Sequence, residues 1–390
     1  MTIMTVKTGI TRFQPRRMTW VCLREFSMIA PRPNTWLDAL HAYVPGKSKA
    51  GGDCPVVKLS SNENPLGPSP RAVAAMAAAA GEAHRYPDPT ARLLRGALAD
   101  LHGLDPDRIV CGTGSDELLT LVAQAYAAPG DEVLYVRHGF MVYPIAARRC
   151  GALPVEAPDT NYTADVDAIL AQVTGKTRVV YLANPNNPTG TVILRDAVRR
   201  LHAGLPSSVV LVLDAAYAEY IDHPDYDSGL DLAKTAPNVL HTRTFSKIYG
   251  LASERIGWAT GPRAIIDTLN KIRAPFNVST TGQAGAVAAL SDTAWVAQAK
   301  AHNDHWRTRL TQAFSALGLN PVPSAANFIL VHVPEGLGVS AAQANAYLEE
   351  HGVLVRYLPN QGLPDCLRIS IGTEAENTRM LEVLSACLKL

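Results

Sequence analysis

A chain of 390 residues is long for one small core and suits one large domain with a smaller one beside it. Apolar residues make up 47% and charged residues 18%, a globular composition with ample material for a buried core. A formal net charge of +1 supplies no broad field for nucleic acid or an acidic membrane, and no apolar run reaches the length of a bilayer span.

Residues 1–27 differ from the rest. They carry Lys7, Arg12, Arg16, Arg17 and Arg24 against the single acid Glu25, and lack the apolar centre of a secretory signal. They read as a disordered extension, or as a start placed too early with Met28 the true one; a transit peptide is the alternative. From Arg71 to Ala80 the chain is alanine-rich and helical, and Ala91 to Leu101 continues in that style. Arg108 to Cys111 is a short apolar run that stops at Gly112. Asp116 to Ala127 sets Leu118, Leu119, Leu121, Val122 and Ala125 on a helical face. Strands are expected at Glu132–Val136, Arg178–Ala183 and Val209–Leu213, with helical stretches between them. Strands separated by helices imply an α/β fold with a mostly parallel sheet covered on both faces. A long helical region, Gln283–Leu317, then leads to strands at Phe328–Val333 and Leu367–Ile371, a second and smaller α/β layer. The expected division is 61–285 for the large domain, with 28–60 and 286–390 together forming the small one. The cysteines Cys22, Cys54, Cys111, Cys150, Cys366 and Cys387 are scattered without a CxxC pair, which fits reduced thiols in the cytoplasm and no metal site.

Four short motifs carry chemistry. Gly112-Thr113-Gly114-Ser115-Asp116-Glu117 is a glycine turn between a strand and a helix, where the free amides of Ser115 and Asp116 can cradle an anion. Asn184-Pro185-Asn186-Asn187-Pro188-Thr189-Gly190 is a rigid turn at a strand's C-terminal end, where α/β sheets bind ligands. Asp214 ends the apolar run Val210–Leu213, and a carboxylate desolvated there needs a cationic partner; Tyr217 follows three residues on. Lys247 lies in Thr244-Phe245-Ser246-Lys247-Ile248-Tyr249-Gly250, with Arg255 beyond it: an amine that can act as a nucleophile, beside hydroxyls and a guanidinium suited to a phosphate. On local sequence alone each has a plainer reading: Ser115 and Asp214 as helix N-caps, the Asn184 segment as an ordinary turn, Lys247 as a surface lysine.

Taken together, the four motifs resemble the fold-type I pyridoxal-5′-phosphate (PLP) aminotransferases of the class I/II group, over residues 59–377. The resemblance implies a large PLP-binding domain with a smaller α/β domain. It makes Lys247 the Schiff-base lysine and proton carrier, Asp214 the partner of the pyridine nitrogen, and Tyr217 and Asn187 the ligands of the ring hydroxyl. Ser115, Asp116, Thr244, Ser246 and Arg255 would hold the phosphate, and Phe140 would stack on the ring. Within the group, the stretches Lys58–Pro65, Arg85-Tyr86-Pro87-Asp88 and Leu367–Thr373 are most similar to the histidinol-phosphate aminotransferases. That implies ping-pong transamination between histidinol phosphate and 2-oxoglutarate, in histidine biosynthesis. It also implies a homodimer with the site at the subunit interface, where Tyr86 reaches the cofactor phosphate of the neighbouring subunit. Arg368 would grip the substrate anion and Arg356 would join it at the phosphate end. Two positions depart from the pattern: Ala215 stands where Glu is common, and Phe140 where Tyr is frequent. An aromatic or dual-specificity aminotransferase, a threonine-phosphate decarboxylase-like lyase and a PLP-binding regulator remain open.

Overall fold

The main sheet has seven strands, in the order Ile109–Gly112, Gly257–Thr260, Val239–Thr244, Val210–Asp214, Thr177–Ala183, Glu132–Val136 and Leu153–Ala157. Gly257–Thr260 runs antiparallel to both of its neighbours, and the remaining pairs are parallel. The structure, a computed structural model, describes residues 30–40, 42, 46–47 and 56–389. The expectation for residues 1–27 lies outside the described residues, as do Cys22 and Cys54.

The central strands are apolar throughout because both faces are covered. Val179, Tyr181, Val210 and Val212 pack with Leu118, Leu119 and Val122 of the helix Ser115–Tyr126, and with Ile265, Ile266 and Leu269 of Arg263–Ile272. Their alternates Val180, Leu182, Leu211 and Leu213 point the other way, onto Ile169, Val198, Leu201 and Ala233. Period-two alternation of apolar with apolar side chains marks a strand buried on both sides.

A second sheet of four antiparallel strands follows, in the order Asn320–Pro321, Phe328–His332, Leu363–Ser370, Arg356–Leu358. Its Ile329, Val331, Leu367 and Ile369 pack on three helices, Thr293–Ala316, Ala341–Glu350 and Glu374–Cys387. The short strand Val57–Lys58 pairs in parallel with Val353–Leu354, and Leu59 enters the same cluster. Trp36–Leu390 is one compact unit that holds both sheets.

Three strands of the main sheet were not among those expected from sequence. Val239–Thr244 buries His241 and Thr242 among its apolar residues, Leu153–Ala157 is an edge strand with an exposed first residue, and Gly257–Thr260 is only four residues long. The expected long helical region is two helices, Thr280–Ser291 and Thr293–Ala316. Asp292 breaks it, because its carboxylate accepts the Trp295 amide and caps the second helix. The helix expected at Arg71 starts at Pro70, with Ser69 Oγ accepting the Ala72 amide and proline at the first turn.

Candidate active site

Register brings the motifs together. Ala183 lies opposite Asp214, Asp214 opposite Thr242, Thr244 opposite Gly257, and Gly257 opposite Gly112. The loops leaving Gly112, Ala183, Asp214 and Thr244 therefore open on one edge of the sheet, the C-terminal edge at which parallel sheets bind ligands. A cavity of about 290 Å³ sits there, lined by Ser115, Asp116, Phe140, Asn187, Asp214, Tyr217, Thr244, Ser246, Lys247, Arg255, Arg356 and Arg368. Tyr86 is the one expected site residue outside it. That side chain is 82% exposed, and its ring stacks on Phe276 at 4.5 Å between centroids.

One end of the cavity is built for an anion. The helix that begins at Ser115 is capped by Gly114 at φ +82°, so Ser115 is its first residue and not its N-cap, and the first amides point outward. Two glycines keep the approach clear. A Cβ on Gly257 would lie 2.3 Å from the Ser115 nitrogen, and one on Gly114 2.4 Å from Arg255 Nη2. The Ser246 amide donates to Thr244 Oγ1 at 3.1 Å, and Thr244 Oγ1 donates to Ser246 Oγ at 3.0 Å. Arg255 donates to Ser246 Oγ at 3.3 Å and pairs with Asp116 at 3.2 Å, which fixes the guanidinium at the mouth.

The centre holds Asp214, only 5% exposed. Tyr143 Oη donates to one carboxylate oxygen at 2.9 Å and Thr242 Oγ1 to the other at 3.3 Å. Burial pushes this carboxyl up to about 6, against the opposing pull of those two hydrogen bonds. Asp214 caps no helix; the next helical turn is Ala218–Tyr220. Tyr143 is itself held by stacking flat on Tyr181 at 4.6 Å, whose hydroxyl donates to Leu119 O at 2.6 Å. Burial pushes the Tyr217 phenol up to about 12, with Arg368 and Asn62 acting in the opposite sense.

The Asn184–Gly190 turn is pinned at several points. Asn184 exchanges side-chain hydrogen bonds with the backbone of Ile193 at 2.9 and 3.0 Å, and Asn186 donates to His138 O at 2.7 Å. Both prolines follow cis peptide bonds. Asn187 Oδ1 accepts from Arg368 Nη1 at 2.7 Å, which turns its amide NH₂ to the other side.

Lys247 is half-buried and not a surface lysine; its Nζ lies 3.5 Å from Ser61 O and 5.6 Å from the centre of the Tyr217 ring. Arg368, buried in its apolar strand, also donates to Ser60 O at 2.8 Å and lies over the Phe328 ring. Arg356 is half-buried and stands directly across from Arg368 in the antiparallel pair. Phe140 meets Tyr143 edge-on at 5.9 Å. Sequence reasoning assigned no role to Tyr143, to Thr242 or to the segment 60–62. A tyrosine three residues after Phe140 at a helix start, and a threonine two before Thr244 in a strand, were the only local signals.

The residues present fit PLP. Helix-start amides with two hydroxyls and a guanidinium suit its phosphate, the buried carboxylate suits a cationic ring nitrogen, and the half-buried amine suits its aldehyde. Residues 55–384 match the family model for class I and II aminotransferases. The chain is 55% identical over 358 residues to a histidinol-phosphate aminotransferase of Erythrobacter litoralis, covering 91% of this chain and 97% of that one. It is 54% identical over 362 residues to that of Sphingopyxis alaskensis, with coverage of 91% and 97%. Among solved structures, the histidinol-phosphate aminotransferase of Sinorhizobium meliloti, in complex with pyridoxal-5′-phosphate, superposes with a TM-score of 0.86 at 30% identity, over 93% of this chain and 99% of that one.

Proposed function

The chain belongs to the class I and II aminotransferases, and from that premise we propose that it transfers the amino group of histidinol phosphate to 2-oxoglutarate with PLP as cofactor, in histidine biosynthesis. The observation that carries the reading is a single cavity in which Lys247, Asp214 and an anion cradle face two arginines, Arg356 and Arg368.

Bound PLP supplies an aldehyde for the donor's amine and a cationic ring that accepts the electrons of the breaking Cα–H bond. Ser115, Asp116, Thr244, Ser246 and Arg255 would hold its phosphate. Phe140 would cover one face of the ring. Asp214, with both oxygens already hydrogen-bonded, would keep its charge turned toward the ring nitrogen. Tyr217 and the NH₂ of Asn187 would donate to the ring's phenolic oxygen. Lys247 Nζ would take the proton from the donor's Cα as general base and return it as general acid. Arg368, braced by Asn187 and Ser60 O, would grip the anionic end of each substrate, and Arg356 would add its fork when that end is a phosphate. One cavity serves donor and acceptor in turn, so the kinetics are ping-pong.

The same reading makes the enzyme a cytoplasmic homodimer in which Tyr86 of one chain completes the cradle of the other. The exposed Tyr86–Phe276 stack supports this, because a bare aromatic pair is what a subunit interface buries. It divides the chain into a large domain, 61–285, and a small one, 28–60 with 286–390. Pairing of Val57–Lys58 with Val353–Leu354 supports the discontinuous small domain. Among the described residues, no helix is long and apolar enough to cross a membrane.

The test is direct. Purified protein loaded with PLP and given histidinol phosphate and 2-oxoglutarate should form glutamate. Bound PLP with no glutamate formed would overturn the assignment.

A further inference from the structure

Residues 59–62 form a strap that touches the site residues one after another. Leu59 O accepts the Ser370 amide, Ser60 O accepts from Arg368, and Ser61 O lies within reach of Lys247 Nζ. Asn62 comes next. It is 1% exposed, and its backbone sits at φ +57°, a left-handed conformation that Asn tolerates better than most side chains.

The hydrogen bonds around Asn62 have a fixed direction. Its own amide N–H donates to Ser370 Oγ at 2.8 Å, and the Ser370 hydroxyl donates to Asn62 Oδ1 at 2.9 Å. Ser370 has one proton and has given it to Oδ1. A flipped Asn62 would set a second donor against Ser370 Oγ and take from that hydroxyl the acceptor it uses. The amide therefore presents Nδ2 to Tyr217 Oη, at 3.1 Å. An NH₂ group only donates, so the Tyr217 oxygen accepts there, and the phenol's own proton is left for a partner on the cavity side. Asn327 Nδ2 donates to Asn62 O at 2.9 Å and holds the strap in place.

We infer that Asn62 is a positioning residue for the reaction: set by Ser370, it donates to Tyr217 and so aims the phenolic proton of Tyr217 into the cavity, at the phenolic oxygen of the cofactor. The inference rests on the reading that Tyr217 faces that oxygen. It also ties proton direction to substrate grip, because Ser370 and Arg368 lie two residues apart on one strand and share its face.

The test is the pH midpoint of the visible absorbance of the PLP-loaded protein, read beside its melting temperature. A donor on the phenolic oxygen favours the ring's ionised form, so losing it raises the midpoint. Tyr217→Phe should raise it by about 0.5–1 pH unit, a ~3- to 10-fold change for one hydrogen bond. Asn62→Gly, which tolerates the backbone angle, should raise it in the same direction. Asn62→Asp keeps the shape and the Ser370 contact but draws the Tyr217 proton to itself, and should do likewise if the glycine variant folds poorly. Asn62→Gly should not add to Tyr217→Phe in the double variant, since both act through one hydroxyl, whereas Asn62→Asp brings a charge of its own. A midpoint moved by Tyr217→Phe but not by either Asn62 variant would overturn the inference. So would an Asn62→Gly shift that persists at full size in the Tyr217→Phe background. A midpoint unmoved by Tyr217→Phe would instead overturn the reading of Tyr217 itself.

Discussion

Replacing Asp214 with Asn tests the buried carboxylate without emptying its place. In the folded chain burial raises this carboxyl from the ordinary 3.8 to about 6, even with Tyr143 and Thr242 donating to it. The folded state thus binds the proton more tightly than the unfolded state, and ionisation destabilises the fold. The penalty is absent below about pH 4 and complete above about pH 6. At 1.36 kcal/mol per pH unit, the gap between 3.8 and about 6 corresponds to about 3 kcal/mol. The amide variant has no such titration. In cofactor-free protein, the stability of Asp214→Asn relative to wild type should therefore rise by about 2 kcal/mol between pH 4.5 and pH 7. Urea unfolding at four pH values across that interval measures it. Saturating PLP should reverse the order, because a cationic ring nitrogen stabilises the carboxylate and the wild type gains the larger ligand-linked stabilisation. A stability difference that stays constant with pH in cofactor-free protein would show that burial does not raise the Asp214 carboxyl.

Lys247→Ala should lower turnover by more than about 10³-fold while leaving the melting temperature of the cofactor-free protein little changed, since the residue is both cofactor anchor and proton carrier; near wild-type turnover would remove it from the mechanism. Gly257→Ala would put a Cβ 2.3 Å from the Ser115 nitrogen, so PLP titrated into the cofactor-free variant should bind at least about tenfold more weakly; unchanged affinity would mean that the helix start is not the phosphate cradle. Arg368→Ala should lower kcat/KM for every donor, as it removes the anion grip and frees Asn187 to turn over. Arg356→Ala should penalise histidinol phosphate more than phenylalanine, since only the former carries a dianionic phosphate; equal losses would argue against phosphate recognition at Arg356.

Asp214 and the Asn187 turn were legible because each sits where an apolar run ends, and the ends of parallel strands share one edge of the sheet; Lys247 was legible from the hydroxyls and apolar residues beside it and from Arg255 beyond. What joins them was not legible. Tyr143 and Asp214 are 71 residues apart, and Asn62 and Tyr217 are 155 apart; register and packing alone bring those pairs into contact. The strand Val239–Thr244 escaped because its buried polar residues break the apolar pattern. His241 Nδ1 finds the Ser228 carbonyl at 3.0 Å and Thr242 finds Asp214, so neither reads as core until partners 13 and 28 residues away are known. The helix break at Asp292 was a capping event inside an otherwise continuous helical pattern. Tyr86 was named from resemblance, and a single chain leaves it on the surface.

Donor preference tests most directly whether this cavity takes the amino group from histidinol phosphate. PLP-loaded protein should be mixed in separate single-turnover reactions with histidinol phosphate, glutamate, phenylalanine and tyrosine, following loss of the cofactor's visible absorbance. Rapid loss is expected with histidinol phosphate and with glutamate, and slower loss with the two aromatic amino acids. Loss with phenylalanine or tyrosine faster than with histidinol phosphate would contradict it and make the protein an aromatic aminotransferase.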